Sequence, residues 1–221
     1  MDKNTKKQRV AEAVLDYIDN GESLGIGAGS TVNILIENLS KVKSKIRNVV
    51  SSSEKSTELL EANGFEVSQL RDVGRLTKYI DGADEVNKDL QMIKGGGGAL
   101  TREKILAHNS SQFICIVDDS KKVDILGKFP LPIEVIPLSR SSVSLELIKH
   151  GGRPVLRENF VSDNRNLIID VHNLQIMEPI KLEQTINNIP GVVTNGIFAL
   201  DHANVLLCAS DNGVDKTDLN A

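Results

Sequence analysis

Apolar side chains recur at helical spacing from residue 5 to residue 20. Val10, Ala13, Val14, Tyr17 and Ile18 share one face there, and Asn20-Gly21 ends the run. Ser23-Leu24-Gly25-Ile26-Gly27 then reads as a short buried strand, and a helix follows in VNILIENL at 32–39. The alternation continues with a strand over Ile46–Val50 and a helix over Glu54–Ala62, which Asn63-Gly64 closes. Short strands follow at Phe65–Val67 and Lys78–Ile80. Leu100–His108 is helical, with Leu100, Ile105 and Leu106 as its apolar side, and Phe113–Val117 is a fully apolar strand ending at Asp118-Asp119. Strands alternating with helices at these lengths predict βαβ units around a parallel sheet.

The pattern changes near Gly127. Pro130, Pro132 and Pro137 punctuate FPLPIEVIP, and a helix over Val143–His150 ends at Gly151-Gly152. RPVLR, LIIDVH, a helix around Leu182–Asn187 and GIFAL complete a β-α-β-β-α-β order, which predicts a ferredoxin-like unit. Ala203–Ala209 is an apolar run suited to rejoining the first sheet. The expected architecture is therefore α/β: a Rossmann-like parallel-sheet domain over 1–126 plus 203–221, and a smaller α+β domain over 127–202.

Composition narrows the function classes. Hydrophobic content of 40% and charged content of 25% suit a soluble globular chain. A net charge of −4 argues against a nucleic-acid partner, which would need a basic surface. Lys3, Lys6, Lys7 and Arg9 cluster near the start, as do Lys41, Lys43, Lys45 and Arg47; each cluster reads as a solvated face. Cys115 and Cys208 lie in apolar runs and read as buried thiols of a reducing compartment. His108, His150, His172 and His202 show no metal-ligand spacing, so no metal site is expected. The chain is charged from Asp2 onward and contains no run of membrane-spanning length, so a cytoplasmic protein with no membrane partner is expected.

The densest chemistry lies between Asp81 and Lys104, in DGADEVNKDLQMIKGGGGALTREK. A glycine inside a regular element costs roughly 0.5–1 kcal/mol relative to alanine, so four together would cost about 2–4 kcal/mol. A backbone that bends sharply or passes close to a ligand accounts for such a run. Taken singly, DGADEV fits a metal loop or a polar turn, though the alternating acids of a calcium hand are missing. Lys94 fits a surface lysine, and Glu103 a first-turn glutamate favoured by the helix dipole. Together, carboxylates, a lysine, bare amides and a further carboxylate supply acid, base and oxyanion stabilisation. Earlier in the chain, Gly25–Thr31 fits either a phosphate-binding turn ahead of a helix or a tight turn with a Ser/Thr cap. It lacks a Walker lysine and G-x-G-x-x-G spacing.

The sequence closely resembles ribose-5-phosphate isomerase of the type A family. The matching stretches are GIGAGSTV (25–32), DGADEV (81–86), KGGGGALTREKI (94–105), VDDSK (117–121), LGKFPLPIEVIP (126–137), ENFVSDNRNLIIDVH (158–172) and IPGVVTNGIFA (189–199). They cover most of the chain in the family's order. One departure is Ala28, where the family usually has threonine.

This resemblance implies interconversion of D-ribose 5-phosphate and D-ribulose 5-phosphate through a cis-enediolate, with no metal or organic cofactor. By the same resemblance Glu103 is the general base, and Lys94 with the amides of Gly95, Gly96 and Gly97 faces the developing enediolate oxygen. Asp81 and Asp84, with Gly82 and Ala83 between them, handle ring opening and hydroxyl protons. Ala28, Gly29, Ser30, Thr31, Lys121 and Lys7 hold the phosphate, and a homodimer or homotetramer is the family habit. Two alternatives stand beside it: another sugar-phosphate enzyme or a coenzyme A transferase relative, the transferase marked by a thioester-forming glutamate, and a non-catalytic sugar-phosphate sensor. The second is disfavoured by the presence of both Glu103 and Lys94.

Overall fold

The computed structural model describes residues 1–219, so the final two residues of the 203–221 segment lie outside the described residues. Helix α1 (Lys3–Ala13) is capped by Asp2, which accepts from the Thr5 amide at 3.0 Å. The apolar run predicted as helix to residue 20 tightens into a 3-10 turn at Val14–Tyr17, a common way for a helix to end. Strand β1 (Glu22–Ile26), helix α2 (Ser30–Leu39), strand β2 (Ile46–Ser51) and helix α3 (Glu54–Ala62) follow. The predicted strand at Phe65–Val67 amounts to one bridge, Val49 to Val67, before the short helix α4 (Leu70–Val73). Strand β3 is Leu76–Asp81.

Two very short strands, β4 (Glu85–Val86) and β5 (Met92–Ile93), precede helix α5 (Leu100–His108) and strand β6 (Ser110–Asp118). The chain continues through β7 (Leu131–Val135), α6 (Arg140–Lys149), β8 (Arg153–Leu156), β9 (Leu167–His172), α7 (Pro179–Asn187), β10 (Val192–Asn195), β11 (Ile197–Phe198), β12 (Val205–Ala209) and β13 (Val214–Asp218).

Contacts divide the chain into two compact units. The first holds residues 1–82, 105–121 and 203 onward; the second holds 83–104 and 122–202. Among the described residues of the first unit, a six-stranded sheet runs β13-β12-β6-β3-β1-β2, parallel except for β13. The Ala203–Ala209 run does rejoin this sheet, pairing as β12 with β6. Val10, Val14, Leu24, Ile26, Leu35, Ile80, Ile114 and Leu207 form part of its core. Full burial of such a side chain contributes about 1.5–3 kcal/mol. After β1 the chain pairs outward to β2 and then returns to the other side of β1 as β3. The carboxyl ends of β1 and β3 therefore flank the switch point where open α/β sheets bind ligands.

In the second unit a four-stranded antiparallel sheet runs β10-β7-β9-β8, the ferredoxin-like order, over a core that includes Leu131, Ile133, Val143, Leu147, Ile169 and Ile186. Its last strand is Val192–Asn195, where GIFAL was predicted. Ile197–Phe198 instead pairs with β5, in a three-stranded sheet β11-β5-β4. Gly196 lets the chain make that transfer, because a Cβ there would lie 2.3 Å from the Lys94 carbonyl.

Candidate active site

In the first unit, Gly27-Ala28-Gly29 leaves the end of β1 and starts α2. Gly29 occupies the N-cap position at φ +111° with no side-chain capping bond, so Ser30 and Thr31 are already inside the helix. A Ser/Thr cap is therefore not what this turn provides. The first-turn amides of a helix of this length, with its dipole behind them, favour an anion. Ser30 is exposed, and its Oγ accepts from Lys7 Nζ at 2.8 Å. Lys121 ends the 3-10 turn Asp119–Lys121, which follows directly from β6.

Asp81 closes β3 and is fully buried. Its Oδ1 accepts from the amides of Ala28 (3.1 Å) and Gly82 (2.7 Å), and its Oδ2 accepts from the Tyr79 hydroxyl. This carboxylate therefore ties the end of β3 to the turn after β1. Gly27 is required for the approach, since a Cβ there would lie 1.9 Å from the Asp81 carboxyl carbon. Tyr79, two residues back on the same strand face, was not singled out from the sequence; the period-2 spacing carries that signal.

In the second unit, β5 delivers Lys94 directly into the glycine run. The Lys94 amide donates to the Gly196 carbonyl at 2.9 Å, so the β11 connection pins the backbone there. Glu103 sits in the first turn of α5. Lys94 Nζ lies 3.1 Å from Glu103 Oε2, with side-chain exposures of only 3% and 5%. The ring of Phe198 lies beside both Lys94 and Lys104, with Nζ-to-centroid distances of 5.4 and 4.7 Å.

Lys104 pairs with Glu183 at 2.5 Å and donates to the Ile197 carbonyl at 2.6 Å. Burial pulls the Lys104 ammonium below its ordinary value, and Glu183 and Asp201 oppose that pull. Glu183 also accepts from the amides of Ala199 and Leu200, both at 2.9 Å.

The four glycines divide into two kinds. Gly95 and Gly98 adopt φ of +100° and +83°, and the Gly98 amide donates to the Gly95 carbonyl at 2.9 Å, closing a turn. Gly96 and Gly97 form its exposed crest. The Gly96 amide donates to Asp84 Oδ2 at 2.8 Å, and a Cβ on Gly96 would meet that carboxylate at 2.7 Å. Gly97 would place a Cβ in open space.

Arg157 reaches the loop from β8's end. It donates to the Gly96 carbonyl at 3.1 Å and the Gly95 carbonyl at 3.4 Å while paired with Asp170 at 2.5 Å. Fully buried Glu134, on β7, accepts from Ser162 Oγ (2.9 Å), Asn166 Nδ2 (2.8 Å) and the Thr101 hydroxyl. Thr101 stands two residues before Glu103, so this carboxylate braces the start of α5. Neither Arg157 nor Glu134 was predicted from sequence, although Glu134 lies in a stretch that matched the family and Arg157 directly precedes another.

The structure thus brings Lys7 to Ser30 and Asp81 to Ala28 and Gly82 within the first unit. Within the second it brings Lys94 to Glu103 and Asp84 to Gly96. Among the described residues no group of three or more His, Cys, Asp or Glu side chains is placed to hold a metal ion, and no helix is long and apolar enough to cross a membrane.

Comparison with known proteins adds a family. The model of ribose 5-phosphate isomerase A (phosphoriboisomerase A) matches residues 48–213. Ribose-5-phosphate isomerase A of Buchnera aphidicola subsp. Acyrthosiphon pisum (strain Tuc7) is 51% identical over 214 residues, covering 97% of this chain and 96% of that protein. The crystal structure of ribose 5-phosphate isomerase A from Neisseria gonorrhoeae is 47% identical, with a TM-score of 0.96 over 98% of this chain and 97% of that one. A D-ribose-5-phosphate isomerase solved in complex with phospho-erythronic acid is 36% identical, with a TM-score of 0.95 over 99% of this chain and 100% of that one.

Proposed function

This chain belongs to the ribose 5-phosphate isomerase A family and is a ribose-5-phosphate isomerase, and from that premise we propose that it works by proton transfer through a cis-enediolate with Glu103 as the base. The observation that carries the proposal is the buried contact of Glu103 with Lys94 at 3.1 Å, at the mouth of a loop of exposed backbone.

In the open-chain aldose, the Glu103 carboxylate removes the proton from C2. The C2–H electron pair forms the C1–C2 double bond, and the carbonyl π pair moves onto O1. Lys94, buried beside the base, offsets the negative charge that develops on the enediolate oxygens. A preorganised donor of this kind is worth about 10²–10³ in rate. The Gly97 amide on the crest assists it, and Gly96 takes part through its bond to Asp84. Glu103 then returns the proton to C1, while the O2 hydroxyl proton is passed to O1, leaving the ketose.

Asp81 and Asp84 handle ring opening and the hydroxyl protons. Asp81 is oriented by Tyr79, Ala28 and Gly82, and Asp84 by Gly96. The uncapped amides of α2, with Ser30, Thr31, Lys7 and Lys121, take the phosphate. Ala28, which stands where threonine is usual, contributes its backbone here: its amide holds Asp81. The ligand in the related complex supports this reading chemically. Phospho-erythronic acid carries a phosphate at one end and a planar carboxylate at the other, a shape and charge close to those of an enediolate phosphate.

Isomerisation run in D2O tests the step directly. Deuterium is expected at C1 of the ketose and in substrate recovered after reversal, and activity is expected to survive metal chelation. A product entirely free of solvent deuterium would point to hydride transfer, and loss of activity with chelator to a metal; either result overturns the reading. We also propose that the chain assembles as a homodimer or homotetramer. The exposed apolar side chains of Leu138, Leu145, Ile148 and Met177 in the second unit support this, and light scattering of the purified protein tests it.

A further inference from the structure

Of the basic residues near the start, Lys3 is exposed as expected, whereas Lys6, Lys7 and Arg9 are drawn into contacts with other elements. Helix α1 packs against α2, β6 and β12, and these three side chains reach the carboxyl ends of three parallel strands. Lys7 meets Ser30 after β1. Arg9 donates to the Ser210 carbonyl after β12 at 3.0 Å. Lys6 goes to the third strand end, after β6. Its ammonium makes a two-pronged contact with Asp119, at 2.9 and 2.8 Å, and lies 3.1 Å from Asp211. Lys6 is buried, whereas the Asp119 carboxylate is 41% exposed.

The placement of Asp119 poses an electrostatic problem. It begins the 3-10 turn that Lys121 ends, and two residues of such a turn advance only about 4 Å. A bare carboxylate there would stand well inside the roughly 10 Å screening length from any phosphate that Lys121 holds, and would repel it. Asp118, the preceding residue, is buried and turned toward Ser120, whose amide donates to it at 3.0 Å. Asp119 has instead the Lys6 ammonium. Hydrogen bonding to Asp119 holds that ammonium above its ordinary value, so Lys6 stays charged throughout the neutral range.

We propose that Lys6 is a positioning residue for phosphate affinity: by pairing with Asp119 it cancels a repulsive charge beside Lys121 and fixes the turn that carries it. This rests on the reading of Lys121 as a phosphate ligand. Adjacent lysines of one helix then serve the same anion differently, Lys7 beside the α2 amides and Lys6 through an acid of the β6 turn.

Competitive inhibition by inorganic phosphate, measured with KM and kcat for ribose 5-phosphate, tests the proposal. Lys6→Met is expected to raise both the phosphate Ki and KM by about 3- to 10-fold. Its kcat is expected to stay within about twofold, and the defect to shrink as salt is added. Asp119→Asn alone is expected not to weaken phosphate binding, and Lys6→Met/Asp119→Asn to return Ki to within about twofold of wild type. The proposal is overturned by an unchanged Ki in folded Lys6→Met, by a kcat loss at constant KM, or by a double variant no better than Lys6→Met. Lys121→Ala separates the two levels of the argument. If it leaves Ki unchanged, the phosphate reading fails; if it raises Ki while Lys6→Met does not, only the role of Lys6 fails. Thermal unfolding of each variant confirms that the comparisons are between folded proteins.

Discussion

Lys94 Nζ lies 3.1 Å from Glu103 Oε2, and both side chains are almost completely removed from solvent. Eight residues separate them in sequence, four of them glycine. The glycine turn folds the chain back so that a lysine leaving β5 meets a glutamate in the first turn of α5. A base held against a cation, with exposed backbone amides nearby, suits a reaction in which negative charge moves from the base onto the substrate.

Glu103→Gln keeps the shape and loses the base. Its rate of ribulose 5-phosphate formation in a coupled assay is expected to fall by at least about 10²–10⁴-fold, with phosphate inhibition little altered. Activity near the wild-type level in the purified variant would remove Glu103 from this role.

Lys94→Met leaves a buried carboxylate without its cation. Breaking a buried pair by removing one partner costs about 3–5 kcal/mol, so a clear drop in unfolding free energy is expected. Lys94→Met/Glu103→Gln should recover much of that stability and none of the activity. A double variant as unstable as the single would show that the two charges are not coupled.

Gly97 and Gly98 separate fold from function within one loop. Gly98→Ala puts a side chain at φ +83° and a Cβ 2.2 Å from Phe160, so a loss of about 1–3 kcal/mol is expected from the backbone alone. Gly97→Ala meets nothing within 4 Å and should unfold at the wild-type temperature while its kcat/KM falls. Full activity in folded Gly97→Ala would mean that the substrate does not use the crest of the turn.

Arg157→Ala removes the guanidinium that holds the Gly95 and Gly96 carbonyls. A loop displaced by as little as about 1 Å can cost on the order of 10²-fold, so kcat/KM is expected to drop by about 10- to 100-fold. Arg157→Lys cannot reproduce the branched contact to both Asp170 and the loop and should recover little. Wild-type kinetics in Arg157→Ala would show that the glycine turn holds its shape unaided.

Lys104 gives a pH test with a defined sign. Burial places its folded pKa below the ordinary 10.5. Between those two values the unfolded chain binds more protons than the folded one, so the contribution of Lys104 to stability rises with pH in that window. Below the window, the burial of a charged ammonium works against the fold. The unfolding free energy of wild type minus that of Lys104→Met is therefore expected to increase as pH rises toward 10.5. A flat or falling difference contradicts the shift.

Much of this was legible in the chain itself. Helices over 54–62 and 100–108 and the strand over 167–172 fall where apolar spacing places them, because a period of 3.6 or 2 is a local property of the residues that carry it. The glycine run and the Gly-Ser-Thr turn were also visible, since a backbone that must bend or stay bare demands glycine at that place, but only the structure showed that Gly29 leaves the helix uncapped. Strands of two residues are too short to show a period, so β4 and β5 were missed and GIFAL, which holds β11, was assigned to the ferredoxin-like sheet, although the β11-β5-β4 sheet is what delivers Lys94. Tertiary structure alone decided that Lys94 and Glu103 are buried as a pair, that Tyr79 holds Asp81, that Arg157 grips the glycine turn, and that Lys6 pairs with Asp119. Each of those depends on residues brought together by packing or by register, and a charge in a sequence looks the same whether it faces water or another charge.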